Sequence, residues 1–280
     1  MRGYLRLARL GNAAMSGAGV AVASFVAGTP VLFAGRFLPV AFAALAAVLF
    51  TAGGNALNDY FDRETDKVNH PDRPIPRGEV PPDGALRFSS LMFAVSLVAA
   101  LYVSVAAVAI VAVNFVVMVS YEKGFKARGA SGNFLIAYLV GSLFLFGGVA
   151  VYAGDVVVLQ RAFLLGLLAA LATAGREVTK DIEDLAGDVD RVTLPRRIGV
   201  PAAARVAAAC FGASVVLSGV PYAAGLFPWP LPYLAIVLAA DTIFIYSGTY
   251  SARNPGRAQR AAKYGMVVAL VAFLAGGLSA

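Results

Sequence analysis

The 280-residue chain holds one cysteine, one histidine and one tryptophan, and only 14% of its residues are charged. A lone Cys210 excludes an intramolecular disulfide and a cysteine-built zinc site, and its apolar neighbours are those of a buried thiol. His70, beside Pro71, reads as part of a solvated turn rather than a catalytic imidazole. The scarcity of charge, with 59% hydrophobic residues and a mean hydropathy of +0.75, excludes an ordinary water-soluble domain. No cleavage site follows the apolar run that begins near Asn12, so the first helix is expected to stay on the chain rather than leave as a signal peptide.

What the chain has in abundance is apolar runs of bilayer length. They lie near residues 12–33, 37–57, 86–119, 133–152, 162–175, 206–222, 231–247 and 264–278. The third run, at 34 residues, fits two short crossings better than one. Charge decides the matter. With nine spans and the N-terminus inside, 21 of the 23 Lys and Arg fall on the inner side and only Arg36 and Arg161 outside, whereas a single helix at 86–119 scatters the later basic loops over both faces. The sequence therefore predicts an all-α, multi-pass protein of nine transmembrane helices, one membrane domain over residues 1–280, with a cytoplasmic N-terminus. The net charge of +7 then marks anionic lipid headgroups rather than nucleic acid. The uncharged 221–233 connection, with Tyr222, Phe227, Trp229 and Tyr233, reads as an aromatic anchor at the outer interface.

Two acidic stretches end the second and sixth spans. Asn55, Asp59, Asp62 and Asp66 map onto Glu177, Asp181, Asp184 and Asp188 with a constant offset of 122 residues, in steps of four, three and four that keep each set on one helix face. Each is followed by a basic, proline-containing stretch, Arg73-Pro-Ile-Pro-Arg77 and Pro195-Arg196-Arg197, so the chain reads as a duplicated helical unit with a pseudo-symmetric site. Acids that merely solvate helix ends are the ordinary alternative. Here both clusters fall at helix C-termini, where the macrodipole disfavours anions and stacked carboxylates repel, so a cation is expected to offset them. Carboxylate and amide oxygens are the hard ligands that Mg2+ takes, with water and phosphate oxygens completing its octahedron. Arg63, Lys67, Lys180 and the Tyr121–Arg128 loop offer cations for the anion that such a metal acts on, and a diphosphate fits that balance. Arg128, Arg196 and Arg197 read as positive-inside anchors.

These residues resemble a known family. Asn58-Asp59-x-x-Asp62-Arg63-x-x-Asp66, the Arg73-Pro-Ile-Pro stretch, Tyr121 with Lys126 ahead of Gly132-Asn133, and Lys180-Asp181-x-x-Asp184-x-x-Gly187-Asp188 are similar to the UbiA superfamily of intramembrane prenyltransferases, over essentially the whole chain. The resemblance implies nine helices around a central cavity and Mg2+ bridging two aspartate-rich motifs to an isoprenyl diphosphate. It implies that Asp62 and Asp66, aided by Asn58, hold one ion, that Asp184 and Asp188, aided by Asp181, hold the other, and that Asp59 is a ligand or supports one. Arg63, Tyr121, Lys126 and Lys180 are then diphosphate contacts. The wording of 176–188, with Arg9-Leu-Gly-Asn12 opening the first span, looks most like the archaeal ether-lipid branch of the superfamily. That branch transfers a geranylgeranyl group from geranylgeranyl diphosphate to the hydroxyl of geranylgeranylglyceryl phosphate, forming the second ether bond of the lipid. Arg9 and Asn12 are the candidate contacts for a phosphorylated acceptor, and no obligate protein partner is evident.

Three other readings compete. An aromatic acceptor such as 4-hydroxybenzoate keeps the family and changes the product. A cation transporter accounts for duplicated helices with acids, but its sites lie near the bilayer midplane rather than at basic helix ends. A CDP-alcohol phosphotransferase also clusters aspartates, but its Asp-Gly-x-x-Ala-Arg pattern is absent. Asp241, well inside the eighth span, is either a functional group or a hydrogen-bonded structural one.

Overall fold

A computed structural model describes residues 2–125, 129–186, 192–227 and 229–278. Among them the chain forms α1 (Arg2–Ala8), α2 (Leu10–Ala27), α3 (Pro30–Gly35), α4 (Phe37–Phe61), α5 (Arg63–Asn69), α6 (Pro82–Leu101) and α7 (Val105–Lys123). It continues through α8 (Ala130–Val151), α9 (Val156–Glu183), α10 (Leu194–Ile198), α11 (Val200–Ser218), α12 (Val220–Ala223), α13 (Pro230–Tyr250) and α14 (Pro255–Gly277). Nine candidate membrane spans result among the described residues: α2, α4, α6, α7, α8, α9, α11 running on into α12, α13 and α14. The protein is an all-helical, multi-pass membrane bundle.

The long apolar run divides where it was expected to. Leu101 ends α6, and Ser104 caps α7 by accepting the Ala107 backbone N–H at 3.1 Å, so the polypeptide reverses within three residues. Elsewhere the helices outrun the apolar runs: α9 extends eight residues beyond Gly175, as far as Glu183. Backbone hydrogen bonding continues past the membrane edge, so hydropathy alone underestimates helix length there.

The 122-residue offset governs the architecture as well as the motifs. Shifted by that amount, α4, α6, α7 and α8 fall on α9, α11–α12, α13 and α14. Within each unit the first helix packs on the second and the fourth, and the third on the fourth; α8 packs along α9 to join the units, and α2 lies against α4, α8, α9 and α14. Lipid provides no hydrophobic drive between helices, so close packing of small residues carries the contacts. A Cβ at Gly141 of α8 would lie 2.6 Å from the Gly166 carbonyl oxygen of α9, a separation that only glycine tolerates. Ser24, Ser89 and Ser96 donate to carbonyls of neighbouring helices, Gly147, Gly53 and Ala46, at 2.8–3.0 Å.

The 221–233 connection divides its aromatics. Tyr222 and Trp229 are exposed, as an interfacial anchor requires, but Phe227 and Tyr233 are buried and pack with Phe273 of α14. Tyr233 has a partner for its hydroxyl there, donating to the Ser218 carbonyl at 2.5 Å.

Candidate active site

Both acidic motifs sit at one end of the bundle. α4 and α9 are the second and sixth spans, so they run in the same direction and their C-termini emerge on the same side. Side-chain bonds tie the other polar segments to that end. Arg6 pairs with Glu79 at 2.5 Å, Arg9 with Asp59, Asn58 with Glu122, and Asn133 with Asp181. The opposite end holds Arg161, whose Nη1 donates at 3.4–3.5 Å to the carbonyls of Ala27 and Gly28 at the C-terminus of α2, where the helix dipole favours a cation.

The first motif is built around a buried Asp59. Arg9 lies between α1 and α2 with φ 48°, the only described non-glycine residue with positive φ; this left-handed kink ends α1 and brings the guanidinium to Asp59. Arg73, from the proline-containing stretch after α5, bridges the motif: its Nη1 lies 2.6 Å from Asp66 Oδ2 and 3.4 Å from Asp59 Oδ1. Asp59 and Asp66 are both buried, and two guanidinium groups neutralise them. Asp62, half-buried, falls where α4 gives way to α5. Asn58 donates its Nδ2 to Glu122 Oε1 of α7 at 2.9 Å, and Asn55 donates to the Ala8 carbonyl at 2.9 Å, a structural tie to α1.

Basic residues of this motif have local partners. Arg63 folds back on its own turn, donating to the Tyr60 carbonyl at 2.8 Å with its guanidinium 4.8 Å from the Tyr60 ring centroid. Lys67 donates to Glu64 at 2.7 Å, and that bond holds the exposed Glu64 carboxyl below the usual range. Arg9 thus stands against Asp59, while Asn12 is exposed on the first turn of α2; Leu5, Arg6, Arg9, Leu10, Gly11 and Asn12 line an open groove of about 490 Å3.

In the second motif Asp181 accepts the Asn133 Nδ2 at 2.7 Å, Asp184 is exposed in the short 3-10 turn Asp184–Ala186, and Lys180 is exposed. Glu177 pairs with Arg176 at 2.5 Å. Lys126 and Asp188 lie outside the described residues. Tyr121 is half-buried on the last turn of α7, next to the buried Glu122. The sequence places Arg73 in a motif but gives it no partner there, and it singles out no role for Glu122. For Glu122 the signal was there: it is another acid near the C-terminus of a span that runs toward the same end, where the dipole disfavours it.

No three His, Cys, Asp or Glu side chains converge to enclose a metal ion by themselves among the described residues. Mg2+ does not need such a cage, since it keeps several waters and is commonly held by one or two carboxylates plus substrate phosphates. Asp62 with the Asn58 amide, and Asp181 with Asp184, are oxygen donors at the ends of two parallel-running helices and fit that demand. Asp241, by contrast, is a buried residue of α13 whose Oδ2 accepts the Ser218 hydroxyl at 2.7 Å, a bond between neighbouring helices.

Among the described residues, then, nine candidate spans that include two equivalent units carry two acidic helix ends, flanked by basic residues, at one face. Comparison with known proteins makes the class specific: the profile of the UbiA prenyltransferase family matches residues 16–275, and the chain belongs to that family. It is a prenyltransferase. It is 43% identical over 283 residues to the digeranylgeranylglyceryl phosphate synthase of Natronomonas pharaonis, covering 100% of this chain and 98% of that protein. A solved structure described as that of a digeranylgeranylglyceryl phosphate synthase superposes with a TM-score of 0.88 at 29% identity, covering 99% of this chain and 98% of the other. A UbiA homologue from Archaeoglobus fulgidus, solved with GPP and Mg2+, shares the fold at a TM-score of 0.54 and 14% identity over 95% of this chain and 99% of that one.

Proposed function

We propose that this prenyltransferase moves a geranylgeranyl group from geranylgeranyl diphosphate to the free hydroxyl of geranylgeranylglyceryl phosphate, with Mg2+, at the cytoplasmic face of the membrane. The observation that carries the reading is the placement of Asp62 and Asp184 at matching ends of α4 and α9, on the same side of the bundle. The full-length identity to synthases of that name supports the choice of acceptor, and the relative solved with GPP and Mg2+ supports the metal. The basic end faces the cytoplasm because Lys and Arg concentrate there.

In this reading Asp62, Asp66 and Asn58 hold one ion and Asp181, Asp184 and Asp188 the other. Bound Mg2+ supplies Lewis-acid neutralisation of the departing diphosphate. Asp59, clamped by Arg9 and Arg73, keeps the end of α4 rigid. Arg63 leaves the Tyr60 ring to meet the diphosphate, Tyr121 meets it from the last turn of α7 and Lys180 from α9, and Lys126 is a further contact. The carbon–oxygen bond of the allylic diphosphate breaks with both electrons leaving on the diphosphate. The acceptor hydroxyl oxygen then bonds to the allylic carbon and loses its proton. Arg9 and Asn12, on the groove beside the first motif, take the phosphate of the acceptor.

The test is incubation of the purified protein in detergent with Mg2+, geranylgeranyl diphosphate and either geranylgeranylglyceryl phosphate or 4-hydroxybenzoate, with products identified by mass spectrometry. Ether product with the glycerol phosphate alone is expected. Product with the benzoate alone overturns the acceptor, and metal-driven uptake into vesicles without any product overturns the reaction.

A further inference from the structure

We infer that Glu122 and Asn133, at the two roots of the α7–α8 connection, are positioning residues that each orient one metal-binding side chain, Glu122 acting on Asn58 and Asn133 on Asp181; this rests on the two-metal reading above. The observation is a pair of matched bonds. Asn58 Nδ2 donates to Glu122 Oε1 at 2.9 Å, and Asn133 Nδ2 donates to Asp181 Oδ2 at 2.7 Å. Residues at the two roots of one connection therefore hold both motifs near their starts, although α4 and α9 make no substantial contact with each other.

The chemistry of the first bond is directional. Glu122 Oε1 accepts from the amide nitrogen of Asn58, and the amide oxygen is thereby turned away from it. The oxygen is the only atom of that amide that can serve a hard cation. Without Glu122 the amide is free to turn over and present its N–H2 to the ion instead. Glu122 is buried and lies in the last turn of α7, where the helix dipole disfavours its charge, so it is an expensive residue to keep for surface solvation. The second bond works on a carboxylate: Asn133 donates to Oδ2 of Asp181 and so fixes the plane of that carboxylate.

Binding of Mn2+ in the presence of pyrophosphate, read from the loss of the free-ion EPR signal against a protein-free control, tests this without turnover. Glu122→Leu is expected to weaken Mn2+ binding by about tenfold or more, the usual cost of losing a partner that orients a metal ligand. Glu122→Gln, whose amide can accept from Asn58 or donate to it and so leaves both orientations open, is expected to fall between the parent and the Leu variant. The Asn58→Ala/Glu122→Leu double variant is expected to bind no more weakly than Asn58→Ala alone, since Glu122 acts through Asn58. Additive losses overturn the inference, as does unchanged affinity in a folded Leu variant. Should the Leu variant not fold, the Gln variant decides, because an affinity equal to the parent's would mean that the orientation of Asn58 does not matter. Failure of the parent protein to bind Mn2+ with pyrophosphate overturns the two-metal reading itself, and the inference with it.

Discussion

The two halves of the bundle keep the same plan and diverge in how they fill it. Ser96 of α6 and Ser218 of α11 occupy equivalent positions, 122 residues apart. In the first half Ser96 reaches across to the Ala46 carbonyl at 2.8 Å, because Ala43, Ala46 and Ala47 bring α4 close. In the second half Leu165 and Leu168, both buried, stand where Ala43 and Ala46 do. Ser218 donates to Asp241 instead, beside a cavity of about 150 Å3 lined by residues of α8, α9, α11, α13 and α14. The polar ends differ too: Asp59 pairs with two arginines from outside its own helix, while its equivalent Asp181 has the Asn133 amide among its partners. The two units share three aspartates at the same spacing and differ in the side chains that support them.

The sharpest break of that comparison is at the equivalent aspartates Asp62 and Asp184. Alanine at either is expected to leave insertion intact and lower turnover by about 1,000-fold, since each removes preorganised charge from its own half of the site. Near-normal activity in either variant would make the halves functionally unequal. Next in size is the difference between Asp59 and Asp181. Removing Asp59 leaves Arg9 without its buried partner, so Asp59→Ala should cost about 3 kcal/mol in mixed-micelle unfolding. Asp181→Ala, which breaks a bond to a half-buried amide, should cost about 1 kcal/mol. Equal losses would mean that the arginine clamp does not stabilise the first motif.

Between the halves, Gly141→Ala should destabilise by about 2 kcal/mol, because its methyl meets the Gly166 carbonyl where α8 and α9 join the units. An unchanged unfolding midpoint would show that this joint is pliable. Arg9→Ala is expected to raise the apparent KM for the acceptor more than that for the prenyl diphosphate, and equal effects would return Arg9 to a purely structural partnership with Asp59. The smallest effect is expected at Asp241→Asn, which keeps an acceptor for Ser218: less than about 1 kcal/mol in stability, with turnover preserved. A large loss of turnover would make the cavity of the second half part of the catalytic machinery.

The membrane class, the number of spans and the repeat were legible in the sequence because each is a matter of period and spacing along one dimension. The break at Ser104 follows from a 34-residue run too long for one crossing, and the pairing of Asp62 with Asp184 from a constant offset. Helix ends were less legible: α9 runs past its apolar stretch because main-chain bonding does not stop at the hydrocarbon boundary. Phe227 and Tyr233 were read as interfacial like Tyr222 and Trp229, since composition does not say which aromatics of a connection turn inward.

By itself, then, the sequence determined that the chain crosses a membrane nine times and carries two equivalent acidic helix ends, because hydropathy and helical period are properties of neighbours in the chain. Which partner each acid takes was decided only in three dimensions. Arg9 meets Asp59 across 50 residues, Asn58 meets Glu122 across 64 and Asn133 meets Asp181 across 48. Such pairs depend on which spans lie side by side and on a single left-handed residue between α1 and α2, and no one-dimensional spacing encodes either.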